Sequence, residues 1–106
     1  MKYTPIFTEF SQSDYINLDG SQKKQVLKSL LKIEKDGMNA GQPLHGKLGD
    51  CRKLMHRKLG LRVIFRHSGA GIEIVEIVAI GKREYDEVYE IAIERLGRNQ
   101  NIKKPR

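Results

Sequence analysis

The chain has 106 residues, 39% of them hydrophobic and 31% charged, which excludes a wholly disordered chain and fits one globular domain. It contains no apolar run near the roughly 20 residues of a membrane helix and no signal-peptide pattern at its start, so we expect no membrane association. A single cysteine excludes an internal disulfide and fits a reducing, cytoplasmic setting, while the formal net charge of +7 favours a polyanionic partner.

Two helices are predicted after a first strand in the N-terminal part. The alternating residues YTPIFTEF at 3–10 predict a strand with Pro5 near its start. Ser11 or Ser13 could cap a short helix over 13–18. Apolar residues at helical spacing predict a second helix over 22–36 that stops at a glycine. Its opposite face carries five lysines: Lys23, Lys24, Lys28, Lys32 and Lys35.

Three strands and a helix are predicted after a loop over 39–50. Strand-type residues occur at about 51–58, 61–67 and 72–80, and the last run is apolar enough to be the central strand, covered on both faces. The SGAG segment between the last two strands predicts a hairpin turn rather than a phosphate-binding loop, because no helix follows it. Residues 85–96 place their apolar side chains on one helical face behind an acidic first turn.

This order predicts an α+β fold: an N-terminal strand, a helical hairpin, an antiparallel β-meander of three strands and a C-terminal helix. We expect a small sandwich with the helices on one face of the sheet. Residues 1–97 would form the single domain. Residues 98–106 have no apolar pattern, and we expect them to form a disordered basic tail.

The positive charge is concentrated in one hairpin and in the tail. Residues 44–66 carry seven Lys or Arg side chains and one acid, a net charge of +6, and residues 98–106 carry four basic residues and no acid. Alternation along the first strand of the hairpin puts three side chains on one face: Lys53, Met55 and Arg57. In the second strand Leu61, Val63 and Phe65 would face the core, so that an open cationic face would remain for Arg62, Ile64 and Arg66. Because like charges across strands are destabilising, this surface points to a nucleic-acid partner.

Three segments carry a recognisable pattern: PLHGKLGDCRKL at 43–54, LRVIF at 61–65 and IVAIGKREYDEVYEIAIERL at 77–96. They resemble the RelE branch of the RelE/ParE superfamily of small bacterial toxins, over about residues 3–97. The most specific part is GKRE followed by EVY. The resemblance implies the α+β arrangement described above and a toxin of a toxin–antitoxin pair.

The RelE resemblance also implies an activity, which is ribosome-dependent cleavage of mRNA in the ribosomal A site without a metal or other cofactor. Such cleavage uses the ribose 2′-hydroxyl to attack the adjacent phosphate, and it needs proton-transfer groups and cations around the phosphate. By the family pattern, Lys53 and Tyr89 are the proton-transfer candidates. Arg62 and Arg83 suit phosphate binding because a guanidinium is planar and always charged. Further side chains expected to bind RNA are Lys47, Arg52, Arg57, Lys58, Arg66 and Lys82.

One position departs from the family pattern. The best-known member has a second lysine two residues after the first, where this chain has Met55. Arg57 could supply the missing charge, which is the interpretation we favour. His56 could supply a titratable group if a bulge turned it to the same face. Alternatively, the protein could bind RNA or the ribosome without cutting.

Two other functions stay open, a ParE-like toxin that inhibits DNA gyrase by binding and a non-catalytic basic RNA- or ribosome-binding protein. The combination of lysine, two arginines and tyrosine argues against the first, and Met55 keeps the second open. His45, His56, His67 and Cys51 lack metal-ligand spacing, so no metal site is expected. The implied partners are a cognate acidic antitoxin, which would complement the cationic face, and the ribosome with its mRNA.

Overall fold

The computed structural model describes residues 2–98, apart from the side chain of Tyr85. Three helices and five strands follow one another as β1 (Thr4–Phe7), α1 (Glu9–Ile16), α2 (Gly20–Asp36), β2 (Gln42–Pro43), β3 (Cys51–His56), β4 (Leu61–His67), β5 (Ile74–Lys82) and α3 (Glu87–Arg95). Short 3-10 turns occupy 37–40, 46–48, 57–59 and 84–86. The disordered basic tail was expected to begin at residue 98, but Arg98 is held by hydrogen bonds to Asp50 and Lys47, and the rest of that tail lies outside the described residues.

Capping boxes set where the first two helices begin. Thr8 is the N-cap of α1: its side chain accepts from the Ser11 backbone N–H at 3.0 Å, and Ser11 Oγ accepts from the Thr8 N–H at 3.0 Å. Asp19 and Gln22 exchange the same two bonds at the start of α2. Each box satisfies N–H groups that have no partner inside the helix. The prediction that Ser11 or Ser13 caps the first helix is therefore wrong, because Thr8 starts it earlier.

The strands form one sheet in the order β1-β5-β4-β3-β2, with β1 parallel to β5 and the other neighbours antiparallel. The predicted α+β class and the meander of β3, β4 and β5 are confirmed, but the expectation that the last strand is central is wrong, because β1 and β2 extend the sheet so that β4 lies in its centre. The expected loop over 39–50 contains the short strand β2, and β5 begins at Ile74 because Ile72, 83% exposed, lies in the preceding turn. Both edge strands contain a proline, Pro5 or Pro43, which discourages pairing with another chain.

Helices cover both faces of the sheet, so the expectation of helices on one face is wrong. On the first face Val26 and Ile33 of α2 pack in one core with Val63 and Phe65 of β4. On the second face α3 builds another core, which contains Leu48, Cys51, Ile64, Val78, Ala79, Val88 and Ala92. The physical reason is that β4 is apolar at successive positions and therefore needs cover on both sides. Among residues 2–98, no helix has the length and apolar character to cross a membrane.

An ion pair fixes α3 to α1 and to β5. The Arg95 guanidinium donates to both carboxylate oxygens of Asp14, at 2.6 and 2.9 Å, and to the Val78 carbonyl at 3.0 Å. Asp14 also accepts from the Ile80 N–H at 3.0 Å. Pairing of β1 with β5 ends at Phe7 opposite Ile77. Beyond this point the side chains of Asp14 and Arg95 bond backbone groups of β5 that β1 no longer pairs. The result is a fixed position for α3 over the second face.

Candidate active site

The first two candidate residues, Lys53 and Tyr89, lie in contact on the second face. Lys53 pairs with Ile64 in the β3–β4 register, and α3 covers Ile64. Tyr89, in the first turn of α3, therefore lies over β3, where Lys53 Nζ donates to its hydroxyl at 3.5 Å. The same Nζ lies 5.6 Å from the centre of the Tyr89 ring. Both side chains are half-buried, and Tyr89 packs against the second core.

Arg62 lies on the neighbouring strand, opposite Met55 of β3 and Gly81 of β5. It is only 7% exposed. One terminal nitrogen donates to the Leu61 carbonyl at 3.2 Å, whereas the buried Nε has no hydrogen-bond partner. Within residues 2–98 it forms no ion pair with a carboxylate. A buried guanidinium without a counter-ion is unfavourable by itself.

Arg83 is exposed and follows directly on β5. Its backbone N–H donates to the Gly60 carbonyl at 2.9 Å, which ties it to the turn between β3 and β4. Gly60 has φ of 63°, a left-handed conformation that favours glycine. The Arg83 carbonyl accepts from Asp86 at 2.8 Å just before α3 begins. The backbone of Arg83 is thus held on two sides while its side chain is exposed.

The expected open cationic face is not open. Ile64 is fully buried beneath α3, and Arg62 is nearly so. Arg66 lies 3.5 Å from a Glu76 carboxylate oxygen and 3.8 Å from one of Asp50. The expectation of an exposed face is wrong because α3 and these two acids cover or neutralise it.

Met55 carries no charge, so a substitute for the missing lysine would have to come from another residue. Met55 is half-buried opposite Arg62. The expectation that Arg57 follows on the same strand face is wrong, because β3 ends at His56 and Arg57 is exposed in the next turn. The β3–β4 register is continuous from Cys51 to His56, so no bulge turns His56 toward Lys53, and it points to the opposite face. His56 thus does not stand in for the missing lysine.

The other residues expected to bind RNA divide into two groups. Exposed side chains are those of Lys47, Arg57, Lys58 and Lys82. In contrast, Arg52 lies on the first face, where it donates to the carbonyls of Met38 and Gly41 at 3.3 Å each. The ion pairs of Arg66 likewise compete with RNA. An RNA contact stays a prediction for all six residues, and it is physically simplest for the exposed four.

An open groove with a volume of about 570 Å³ borders Tyr89. Its other lining residues are Leu44, His45, Leu48, Asp86, Glu90 and Ile93. Sequence reasoning did not find this groove, because it forms between α3 and the distant 42–50 segment. Asp86 is the only non-glycine residue with positive φ, 57°, among residues 2–98.

An ion pair also joins the end of α3 to the start of β3. Arg98 donates to the Asp50 carboxylate, with one of the two bonds at 2.9 Å, and to the Lys47 carbonyl at 3.0 Å. These hydrogen bonds lower the pKa of Asp50 to about 2. The neighbouring Cys51 is buried, and burial raises the pKa of its thiol to about 11. Within residues 2–98 no group of three or more His, Cys, Asp or Glu side chains could hold a metal ion.

Comparison with known sequences places the chain in a family. No protein-family model matches it. A RelE-like toxin protein of Escherichia coli is 31% identical over 96 residues, which cover 91% of this chain and 99% of the relative. The chain belongs to the RelE family of toxins. The mRNA interferase toxin RelE of E. coli K12 is 27% identical over the same shares of the two chains, and the RelE resemblance is confirmed.

Solved RelE structures share the fold. A free E. coli RelE mutant in which two arginines are replaced by alanine has a TM-score of 0.72 and 28% identity, covering 91% of this chain and 99% of the mutant. The same mutant in complex with a RelBc antitoxin peptide has a TM-score of 0.69 and 26% identity, covering 87% of this chain and 95% of the mutant. The fold described above is therefore that of a RelE toxin.

Proposed function

We propose that this RelE-family protein is the toxin of a toxin–antitoxin pair and a ribosome-dependent mRNA endoribonuclease. Its relatives include a protein named an mRNA interferase. The observation that carries the proposal is the contact of Lys53 Nζ with the Tyr89 hydroxyl at 3.5 Å, beside the buried guanidinium of Arg62, which has no carboxylate partner within residues 2–98. Two proton-transfer groups next to an anion-binding group are what RNA cleavage requires.

The cleavage is proposed to proceed by attack of the ribose 2′-oxygen on the adjacent phosphorus. One member of the Lys53–Tyr89 pair accepts the 2′-hydroxyl proton, and the other donates a proton to the leaving 5′-oxygen. The P–O5′ bond breaks as the O2′–P bond forms, which leaves a 2′,3′-cyclic phosphate and a 5′-hydroxyl. The nucleophile belongs to the substrate, so the step needs no metal-bound water.

Two arginines are proposed to bind the reacting phosphate. The Arg62 guanidinium has no carboxylate partner in the described part of the chain, and that of Arg83 is exposed on a fixed backbone. Negative charge grows on the phosphate oxygens in the transition state, and a positioned guanidinium stabilises it. Removing such a group typically lowers the rate by about 10²–10³-fold.

Arg57 stays our candidate for the charge that Met55 lacks. Its side chain is exposed at the end of β3, and within residues 2–98 it forms no ion pair that would have to be broken. From that turn, the Arg57 guanidinium would add positive electrostatic potential at the phosphate although it does not lie on the face of the sheet.

An acidic antitoxin is the proposed regulator. A RelE relative forms a complex with an antitoxin peptide. In this protein Lys58, Lys82 and Arg83 are exposed near the turn of β3 and β4, and an acidic segment would complement their charge. We propose that antitoxin, toxin and ribosome meet in the cytoplasm.

The deciding experiment adds purified protein to 70S ribosomes programmed with a defined A-site codon and maps the mRNA ends. We expect cleavage in the A site, no cleavage of free mRNA and a loss of about 10²-fold or more in Arg83→Ala. Arg83→Lys keeps the charge but not the bidentate geometry, so its cleavage rate should lie between those of the wild type and Arg83→Ala. Ribosome binding without cleavage would mean that Met55 has removed the activity, and neither binding nor cleavage would favour a gyrase-type target.

A further inference from the structure

The outer face of α2 carries four lysines that the proposed cleavage does not use. Lys24, Lys28, Lys32 and Lys35 are all exposed, on the side of the helix away from Val26 and Ile33, which are buried in the first core. Since an α-helix rises 1.5 Å per residue, they form a stripe about 16 Å long. We call this set the α2 lysine stripe.

Stability does not account for the α2 lysine stripe. Lys24, Lys28 and Lys32 are spaced four residues apart, and like charges at this spacing destabilise a helix. Within residues 2–98 none of the four lysines forms an ion pair with a carboxylate. Asp36 follows Lys32 by four residues but is half-buried, so the face keeps an excess of positive charge, which suits a partner with regularly spaced negative charges such as a nucleic-acid backbone.

The stripe lies on the opposite side of the molecule from the candidate active site. α2 packs on the first face of the sheet, whereas Lys53 and Tyr89 contact each other on the second. The lysines of α2 therefore cannot reach a phosphate bound at Lys53 and Tyr89. Any anion that they bind must be a separate part of the target.

We propose that the α2 lysine stripe binds the phosphate backbone of ribosomal RNA while the second face holds the mRNA. This inference rests on the proposed function, because it takes the ribosome as the target. RNA would then contact the toxin on two opposite sides, and the stripe would contribute affinity for the ribosome without contributing to bond cleavage. Leu27 and Leu31 border the stripe and are 49% and 65% exposed. The rival explanation is therefore that this face of α2 binds an apolar surface of another protein.

The test compares ribosome affinity across a salt series for the wild type and for Lys24→Gln/Lys28→Gln/Lys32→Gln/Lys35→Gln. We expect the variant to bind 70S ribosomes at least about tenfold more weakly, with a salt slope shallower by about 0.7–0.9 for each phosphate that it no longer neutralises. At saturating ribosomes its single-turnover cleavage rate should match that of the wild type within about twofold, since the chemistry lies on the other face. Glutamine has a helix propensity close to that of lysine, so the fold should be kept.

Two controls separate the alternatives. Lys28→Gln/Lys32→Gln and Gln12→Glu/Ser13→Glu both lower the net charge by two, but the second pair lies on the exposed part of α1; only the first should weaken binding strongly. Leu27→Gln/Leu31→Gln should leave affinity unchanged. Unchanged affinity and salt slope in the lysine variants would overturn the inference, as would a loss confined to the leucine variant or no ribosome binding by the wild type. Binding without cleavage would instead count against the proposed function, while the affinities would still decide the role of the stripe.

Discussion

The hydroxyl of Tyr89 lies 3.5 Å from Nζ of Lys53, although 36 positions separate the two residues in the chain. In a second lysine–tyrosine pair, Lys23 Nζ lies 5.7 Å from the ring centre of Tyr15, close to the 5.6 Å between Lys53 Nζ and the ring centre of Tyr89. The two pairs lie on opposite faces of the sheet, since Tyr15 packs against the first core. Only the pair on the second face has Arg62 on the neighbouring strand.

Tyr89→Phe should lower the rate of A-site cleavage by about 10²-fold or more, because it removes a proton-transfer group and keeps the ring that packs against the second core. Lys53→Met should have a similar effect. Single-turnover mapping of mRNA ends measures both. Tyr15→Phe is the matched control and should cleave like the wild type; equal rates in Tyr15→Phe and Tyr89→Phe would remove Tyr89 from the mechanism.

Met55→Lys should raise the cleavage rate by about tenfold, because a cation opposite Arg62 would stabilise charge on the phosphate. It should also lower the free energy of unfolding by about 1 kcal/mol, since like charges across strands repel. Met55→Leu preserves the apolar volume and should change neither quantity much. A folded Met55→Lys protein that cleaves no faster would show that the site does not lack a cation.

Arg57→Ala tests whether the exposed arginine compensates for Met55. We expect a fall of about tenfold in the wild-type background and a much smaller one in Met55→Lys, because the introduced lysine would make Arg57 redundant. The same kinetic assay on the four proteins gives the coupling energy. Equal effects of Arg57→Ala in both backgrounds would mean that Arg57 acts independently of position 55.

Asp14→Ala should lower the free energy of unfolding by about 2 kcal/mol, because it leaves the partly buried Arg95 guanidinium and the Ile80 N–H without their acceptor. Chemical denaturation measures the change. Glu94→Gln alters an exposed acid one residue from Arg95 and should have an effect within about 0.5 kcal/mol. If the two variants were equally stable, the Asp14–Arg95 pair would not be what holds α3 in place.

The ion pair of Arg98 with Asp50 should make stability depend on pH in acid. Hydrogen bonds from Arg98 lower the pKa of Asp50 from 3.8 to about 2, so ionised Asp50 stabilises the folded state above pH 3.8 and loses this effect as the pH falls toward 2. The difference in Tm between wild type and Asp50→Asn should therefore be constant near neutrality and shrink below about pH 4. The difference should be small, because the Asp50 side chain is half exposed.

Arg98→Gln provides the control for this titration. Without the guanidinium, the pKa of the Asp50 carboxyl should return toward its ordinary value, which an NMR titration of that carboxyl measures directly. A pKa that stayed near 2 in Arg98→Gln would assign the shift to another neighbour, such as Arg66 at 3.8 Å.

Much of the fold could be predicted because it depends on local pattern. The amphipathic helix over 22–36 and the strands around 51–67 follow from the spacing of apolar residues, and alternation correctly put Lys53 and Met55 on one face of β3. The start of α1 was missed because a capping box depends on two reciprocal hydrogen bonds, between Thr8 and Ser11, rather than on one favourable residue.

The sequence by itself determined which side chains share a strand or helix face, and its motifs indicated the four candidate site residues. The tertiary structure alone decided that α3 crosses the second face, which puts Tyr89 against Lys53, buries Arg62 and leaves Arg83 exposed. It also decided that Asp50 and Glu76 neutralise Arg66. The reason is that periodicity is a property of neighbouring residues, whereas the cover of a face and the partner of a charge are chosen by segments far apart in the chain.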